Sequence, residues 1–214
     1  AAAERWERII VGDVPDVFVP GIGQVDDIVI EARSIAIDGP NGILGQTAIV
    51  AQRVVSNLPS AAFIELDTFD IAALESAGQL SNTILHEMGH ALGFGVIWDA
   101  LGLISGATGP NPQFLGPRSI QEYNLRFGTN STGVPVENMG GQGTADVHWR
   151  ESVLTTELMT GFLDPGVANP ITRLTVAQFA DLGYQVDFTA ADSLNLTSSL
   201  LSANVSGERA RING

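Results

Sequence analysis

Two histidines and a glutamate stand together in His86-Glu87-Met88-Gly89-His90. On a helix, residues four apart lie one turn apart on the same face, so both imidazoles can reach one metal ion. The glutamate, one residue on from the first histidine, points to the adjoining side, within reach of a water on that ion. Zinc lowers the pKa of such a water towards about 7, and a carboxylate can then take its proton. This is the mechanical basis of the metalloprotease pattern H-E-x-x-H. The competing reading is a chance match on a buried helix. The chain has only three histidines, and two of them fall in this pattern. Gly89 points the same way: a glycine inside a helix costs ~1 kcal/mol against alanine, so packing or function must want it there.

The elements that position these residues follow from periodicity. Residues 81–94 form the strongest helix, with Ser81 as a plausible N-cap and Gly93 or Gly95 as the stop. Residues 1–11 read as an amphipathic helix with Trp6, Ile9 and Ile10 on one side. Alternation over 28–37, 47–55 and 61–67 predicts three strands, with a turn at Asp38-Gly39-Pro40-Asn41-Gly42 between the first two. A short helix fits 70–77 and another 119–127. The stretch 102–147 is rich in Gly, Pro, Asn and Thr and is expected to be a long irregular excursion, uncommon unless functional. Residues 175–182 predict a last helix, stopped by Gly183.

Composition bounds the rest. The chain has 214 residues, enough for one domain of two lobes, divided here as 1–95 and 96–214. Ten Lys and Arg against 24 Asp and Glu leave a net charge of -14, which argues against nucleic acid and anionic membrane as partners. There is no run of about 18 apolar residues, so no membrane span is expected. No cysteine is present, so neither a disulfide framework nor a thiol metal site can form. Turn-borne acids, namely Asp13, Asp16, Asp26, Asp27 and Asp38, leave calcium open, but none forms an EF-hand loop and such residues are commonly turn formers, so calcium is not predicted. Asn-x-Ser/Thr triplets stand at Asn130, Asn195 and Asn204. A secreted monomer is expected.

The pattern extends through Ala91, Leu92 and Gly93 into His-Glu-x-x-His-x-x-Gly, which resembles the metzincin proteases, where the glycine turns the chain after the helix. Most metzincins place a third histidine three residues beyond that glycine; here that residue is Val96. The remaining histidine, His148, lies after the irregular excursion and shortly before Glu157-Leu158-Met159. At this point the chain resembles the leishmanolysin branch, in which an inserted segment precedes the third histidine and a Glu-Leu-Met segment makes a methionine turn. Asp181-Leu182-Gly183-Tyr184 resembles it as well.

The resemblance implies an α+β metzincin-like zincin. Its first lobe would hold a twisted mixed sheet, a backing helix and the zinc helix, and its second lobe would be irregular. It implies one catalytic zinc on His86, His90 and His148, Glu87 as general base, Met159 as the turn methionine and Gly93 as the turn after the zinc helix. Glu151, Asp146 and Glu157 are reserve ligands. The implied activity is a zinc endopeptidase acting on proteins or peptides through a water on the metal. The strand 61–67 is the candidate edge for pairing with substrate. The alternative is an inactive, zinc-stabilised binding or adhesion module; Glu87 argues against it, since a structural site needs no base. Two departures stand out. Leishmanolysins carry many disulfides and this chain has none. Some metzincins have a tyrosine two residues after the methionine, where this chain has Gly161.

Overall fold

The structure, a computed structural model, describes residues 1–163, 166–193 and 211–213. It has a mixed α+β architecture. Helix α1 spans Ala2–Glu7, strands β1 and β2 span Val17–Val19 and Gly23–Val25, and β3, β4 and β5 span Val29–Ile35, Ile43–Gln52 and Pro59–Asp67. Helices α2 (Ile71–Ser76) and α3 (Leu80–Ala91) follow. Beyond them come β6 (Ile104–Ser105), β7 (Gln113–Phe114), α4 (Pro117–Phe127), β8 (Val134–Pro135), α5 (Glu151–Leu154), α6 (Arg173–Leu182) and β9 (Arg211–Asn213).

The main sheet is mixed, in the order β3-β5-β4-β9. Strand β5 runs parallel to β3 and antiparallel to β4. Eight of its nine residues are buried, as a strand covered on both faces requires. This corrects one sequence-based expectation: residues 61–67 are an interior strand, not an edge. Strand β4 lies outside β5, and β9 pairs with it only beside Ile43 and Gln46. The turn between β3 and β4 is held by buried Asp67, which accepts from the backbone amides of Asp38 and Gly39, both at 3.0 Å.

Helix α3 lies against this sheet. Ala91 packs with Ala62 and Ile64 of β5, and Ile84 and Met88 close over them. The backing helix is shorter than the apolar pattern predicts. It ends near Glu7 because the following residues are drawn into backbone pairing with the other end of the chain: Val11 N–H donates to Gln185 O, and Ile10 bridges Val186. Trp6 on α1 donates its indole N–H to Leu85 O of α3 at 3.0 Å. Helix α3 itself starts one residue before the proposed cap, so Ser81 lies inside it and Gln79 is the N-cap.

The irregular stretch has more order than its composition suggests. Strands β6, β7 and β8 make a small antiparallel sheet, and α4 packs beside α6. What binds this region to α3 is an aromatic cluster. Phe94, Trp98, Phe114 and Trp149 are all fully buried, with ring centroids 4.7–5.6 Å apart. Offset and edge contacts of this kind add ~0.5–1.5 kcal/mol per pair beyond the area they bury. In a chain without disulfides they do the joining. Of the triplet asparagines, Asn130 lies on an exposed turn after α4, and Asn195 and Asn204 fall outside the described residues.

Trp98→Ala should therefore lower stability by about 3–5 kcal/mol, as large cavities in aromatic cores do. A thermal or urea melt checks it. A loss well under 1 kcal/mol would mean that the cluster does not bind the two regions together.

Candidate metal centre

Helix α3 carries His86 and His90 one turn apart, with ring centroids 4.7 Å from each other. After Ala91 the chain leaves the helix through Gly93, whose φ of 107° is open to glycine and strained for other residues. That turn brings Phe94 O back to the His90 ring. The third imidazole, His148, arrives from beyond the small sheet and stacks on His86 at 5.1 Å. All three are fully buried.

The hydrogen bonds define the tautomers. Nδ1 of His86 faces Leu158 O at 2.6 Å, Nδ1 of His90 faces Phe94 O at 2.9 Å, and Nδ1 of His148 faces Thr144 O at 2.8 Å. A carbonyl oxygen only accepts, so each Nδ1 carries the proton and each Nε2 presents a bare lone pair. The three Nε2 atoms lie 2.9, 3.0 and 3.1 Å from one another. Burial makes extra protons unfavourable: it pushes His86 and His148 well below the usual imidazole range and His90 down to about 4. The neighbouring rings push His86 and His148 further the same way.

Three converging lone pairs without protons repel one another unless a cation lies between them. Zinc fits this donor set. Bonds of ~2.0–2.1 Å in a tetrahedron place ligand atoms about 3.3 Å apart, slightly wider than seen here. Backbone carbonyls that fix the far ring nitrogen are the usual support for ligating histidines. Among the described residues, no carboxylate joins this cluster of mutually close donor atoms.

The structure accounts for the reserve candidates elsewhere. Asp146 accepts from Thr108 N at 2.9 Å. Glu151 starts α5, and its backbone N–H donates to Glu137. Glu157 is fully buried and does structural work: its carboxylate accepts from the amides of Met159 and Thr172 and from the hydroxyls of Thr172 and Thr175. Thr175 also accepts from the Trp149 indole at 2.9 Å. One carboxylate thus ties the segment after His148 to the start of α6. Sequence reasoning missed this role, for which the only local signal is the Thr172/Thr175 spacing.

Glu87 lies on the next face of α3, fully buried. Its Oε2 accepts from the Thr47 hydroxyl at 2.6 Å, while Oε1 has no hydrogen-bond partner among the described residues. Burial raises its pKa well above the usual carboxylate value, and the Thr47 hydrogen bond opposes that. Met159 is fully buried against the same helix. A Cβ on Gly89 would lie 2.8 Å from its sulfur and 2.9 Å from its methyl carbon. The helix gives up a side chain at 89, and the thioether takes the space.

Of the acids considered for calcium, the carboxylates of Asp13, Asp26 and Asp27 come together at the exposed surface. Asp16 hydrogen-bonds Asp26, and like charges around Asp26 raise its pKa. Asp38 is a turn former that accepts from Ile43 N at 2.9 Å.

Three histidines converging beside a glutamate of the same helix are the donor set of a metallopeptidase centre. The description of the leishmanolysin peptidase family matches residues 11–206. The chain belongs to that family, which is a family of zinc metalloproteases. It is 36% identical over 36% of its length to a leishmanolysin-like peptidase of Drosophila melanogaster, covering 11% of that protein. It is 32% identical over 54% of its length to leishmanolysin of Leishmania donovani, covering 20% of that protein. A longer match, 24% identical over 89% of the chain, is with the ciliated left-right organizer metallopeptidase of Xenopus laevis, of which it covers 32%. Across these and similar relatives the chain spans 11% to 33% of their lengths.

Packing at Gly89 and Met159 predicts a graded and coupled response. Met159→Leu should cost under ~1.5 kcal/mol, and Met159→Ala roughly 2–5 kcal/mol. Gly89→Ala should be clearly less damaging in the Met159→Ala background than alone, with a coupling of about 1 kcal/mol or more. Melts of the two single variants and the double variant measure it. Strict additivity would separate the two residues.

Proposed function

We propose that this chain is the catalytic part of a zinc-dependent endopeptidase that cleaves peptide bonds in proteins. The observation that carries this reading is the trio of proton-free Nε2 atoms, 2.9–3.1 Å apart, two of them on the helix that also bears Glu87. His86, His90 and His148 would hold the ion. When bound, zinc supplies Lewis-acid polarisation of the peptide carbonyl and makes water more acidic.

Glu87 would act as general base. Its carboxylate takes a proton from water as the water oxygen bonds to the peptide carbon, then delivers that proton to the nitrogen as the C–N bond breaks. The water oxygen and its second proton end in the new carboxyl group, and the transferred proton on the new amine. Burial raises the pKa of Glu87 above the ordinary carboxylate range, which strengthens it as a proton acceptor. Met159 would be the packed floor of the site, and Gly93 the turn that frees the chain to run on to His148.

A substrate would pair its backbone with β4 beyond Gln46, because β5 is interior and, among the described residues, β9 covers the outer side of β4 only beside Ile43 and Gln46. The cleft would lie between lobes 1–95 and 96–214. A monomeric, extracellular enzyme completes the reading. Among the described residues no helix is long and apolar enough to cross a membrane.

Purified protein should carry one zinc per chain and cleave unfolded casein, with activity lost to a chelator and restored by zinc. His148→Ala should lose the metal. Glu87→Ala should keep zinc and fold but lose turnover by roughly 10²–10⁴-fold, the usual share of general acid–base assistance. Zinc binding without any cleavage would favour the inactive binding module. Full zinc content in His148→Ala would remove His148 from the ligand set.

A further inference from the structure

Glu87 is held from outside its own helix, and the contact lies on a strand that the metal pattern does not include. Gly45 and Thr47 are two residues apart on β4, so they share one face of the sheet. That face meets α3 at Glu87. The Thr47 hydroxyl lies 2.6 Å from Glu87 Oε2 and 3.0 Å from the Glu87 backbone oxygen. The shorter contact is in the range of a hydroxyl donating to a charged oxygen. At Gly45, a Cβ would sit 2.8 Å from Glu87 Oε1 and 3.1 and 3.2 Å from its Cγ and Cδ. The glutamate side chain therefore occupies the space that any larger residue at 45 would fill.

We infer that Thr47 is a positioning residue for Glu87, with Gly45 leaving the room in which the carboxylate lies; this rests on Glu87 being the general base. The two contacts divide the carboxylate. Oε2 is anchored by the hydroxyl, and Oε1 has no partner among the described residues. Anchoring one oxygen fixes the plane of the group, so the other is presented in one direction. A hydroxyl also suits a base that gains and returns a proton. It donates to the ionised carboxylate and can accept from the protonated one, so the anchor holds through both forms. Valine has the same shape and neither capacity.

Thr47→Val and Thr47→Ser separate this role from a structural one. Thr47→Val should keep zinc content and melting temperature, keep KM, and lower kcat by about 10- to 100-fold, the worth of a hydrogen bond to a charged group. Thr47→Ser should recover most of that kcat. Crystal structures should show the Glu87 carboxylate displaced in the valine variant and in place in the serine variant. An unchanged kcat in Thr47→Val, a serine variant as slow as the valine one, or a loss that tracks loss of zinc would overturn the inference. If the parent cleaves no peptide, the endopeptidase reading fails. The crystal structures then decide the anchor alone, and a carboxylate unmoved in Thr47→Val refutes it.

Discussion

Three imidazole nitrogens without protons, held about 3 Å apart in a dry interior, are the constraint on which the rest of the structure depends. Each ring is aimed by a carbonyl, and the three carbonyls belong to separate parts of the chain: Phe94 just past the helix, Thr144 before the third histidine and Leu158 at the methionine. Moving any of these segments would turn a ring. The fold from residue 93 to 158 can therefore be understood as the means of bringing two distant carbonyls and one distant histidine to a single helical turn.

No covalent link helps. In place of disulfides, Phe94, Trp98, Phe114 and Trp149 join the region after the helix to the segment of the third ligand. Buried Glu157 then fixes the methionine segment to α6 through two amides and two hydroxyls. Burial alone raises the pKa of Glu157, and its four donors offset part of that cost. Trp149 takes part in both devices, packing in the cluster and donating to Thr175. The neighbour of a metal ligand is thereby tied down on its ring and on its backbone, since its N–H also bonds Met159 O at 2.9 Å.

The helix and its histidines were legible because helical spacing and a rare residue type coincide in five positions. The third histidine was legible only through family resemblance, since it lies 58 positions beyond His90 with no spacing rule linking the two. Strand locations followed from alternation, but strand order did not. Residues 61–67 carry no sign that β3 and β4 flank them, so the interior strand was taken for an edge. The backing helix was overextended because its apolar stripe continues through Ile9 and Ile10, whereas pairing with Gln185 and Val186 overrides helix there. Thr47 and Glu157 were invisible as partners because a hydroxyl 40 positions from its carboxylate leaves no local pattern. Gly89 was read as a cost needing a cause, and Met159 is that cause.

X-ray absorption at the zinc edge tests the central claim most directly. The protein loaded with one equivalent of zinc should give three nitrogen scatterers at about 2.0–2.1 Å with the outer-shell signature of imidazole rings. Any zinc that His148→Ala still holds should show no more than two. A parent spectrum dominated by oxygen ligands, or an unchanged count of three in His148→Ala, would contradict the account.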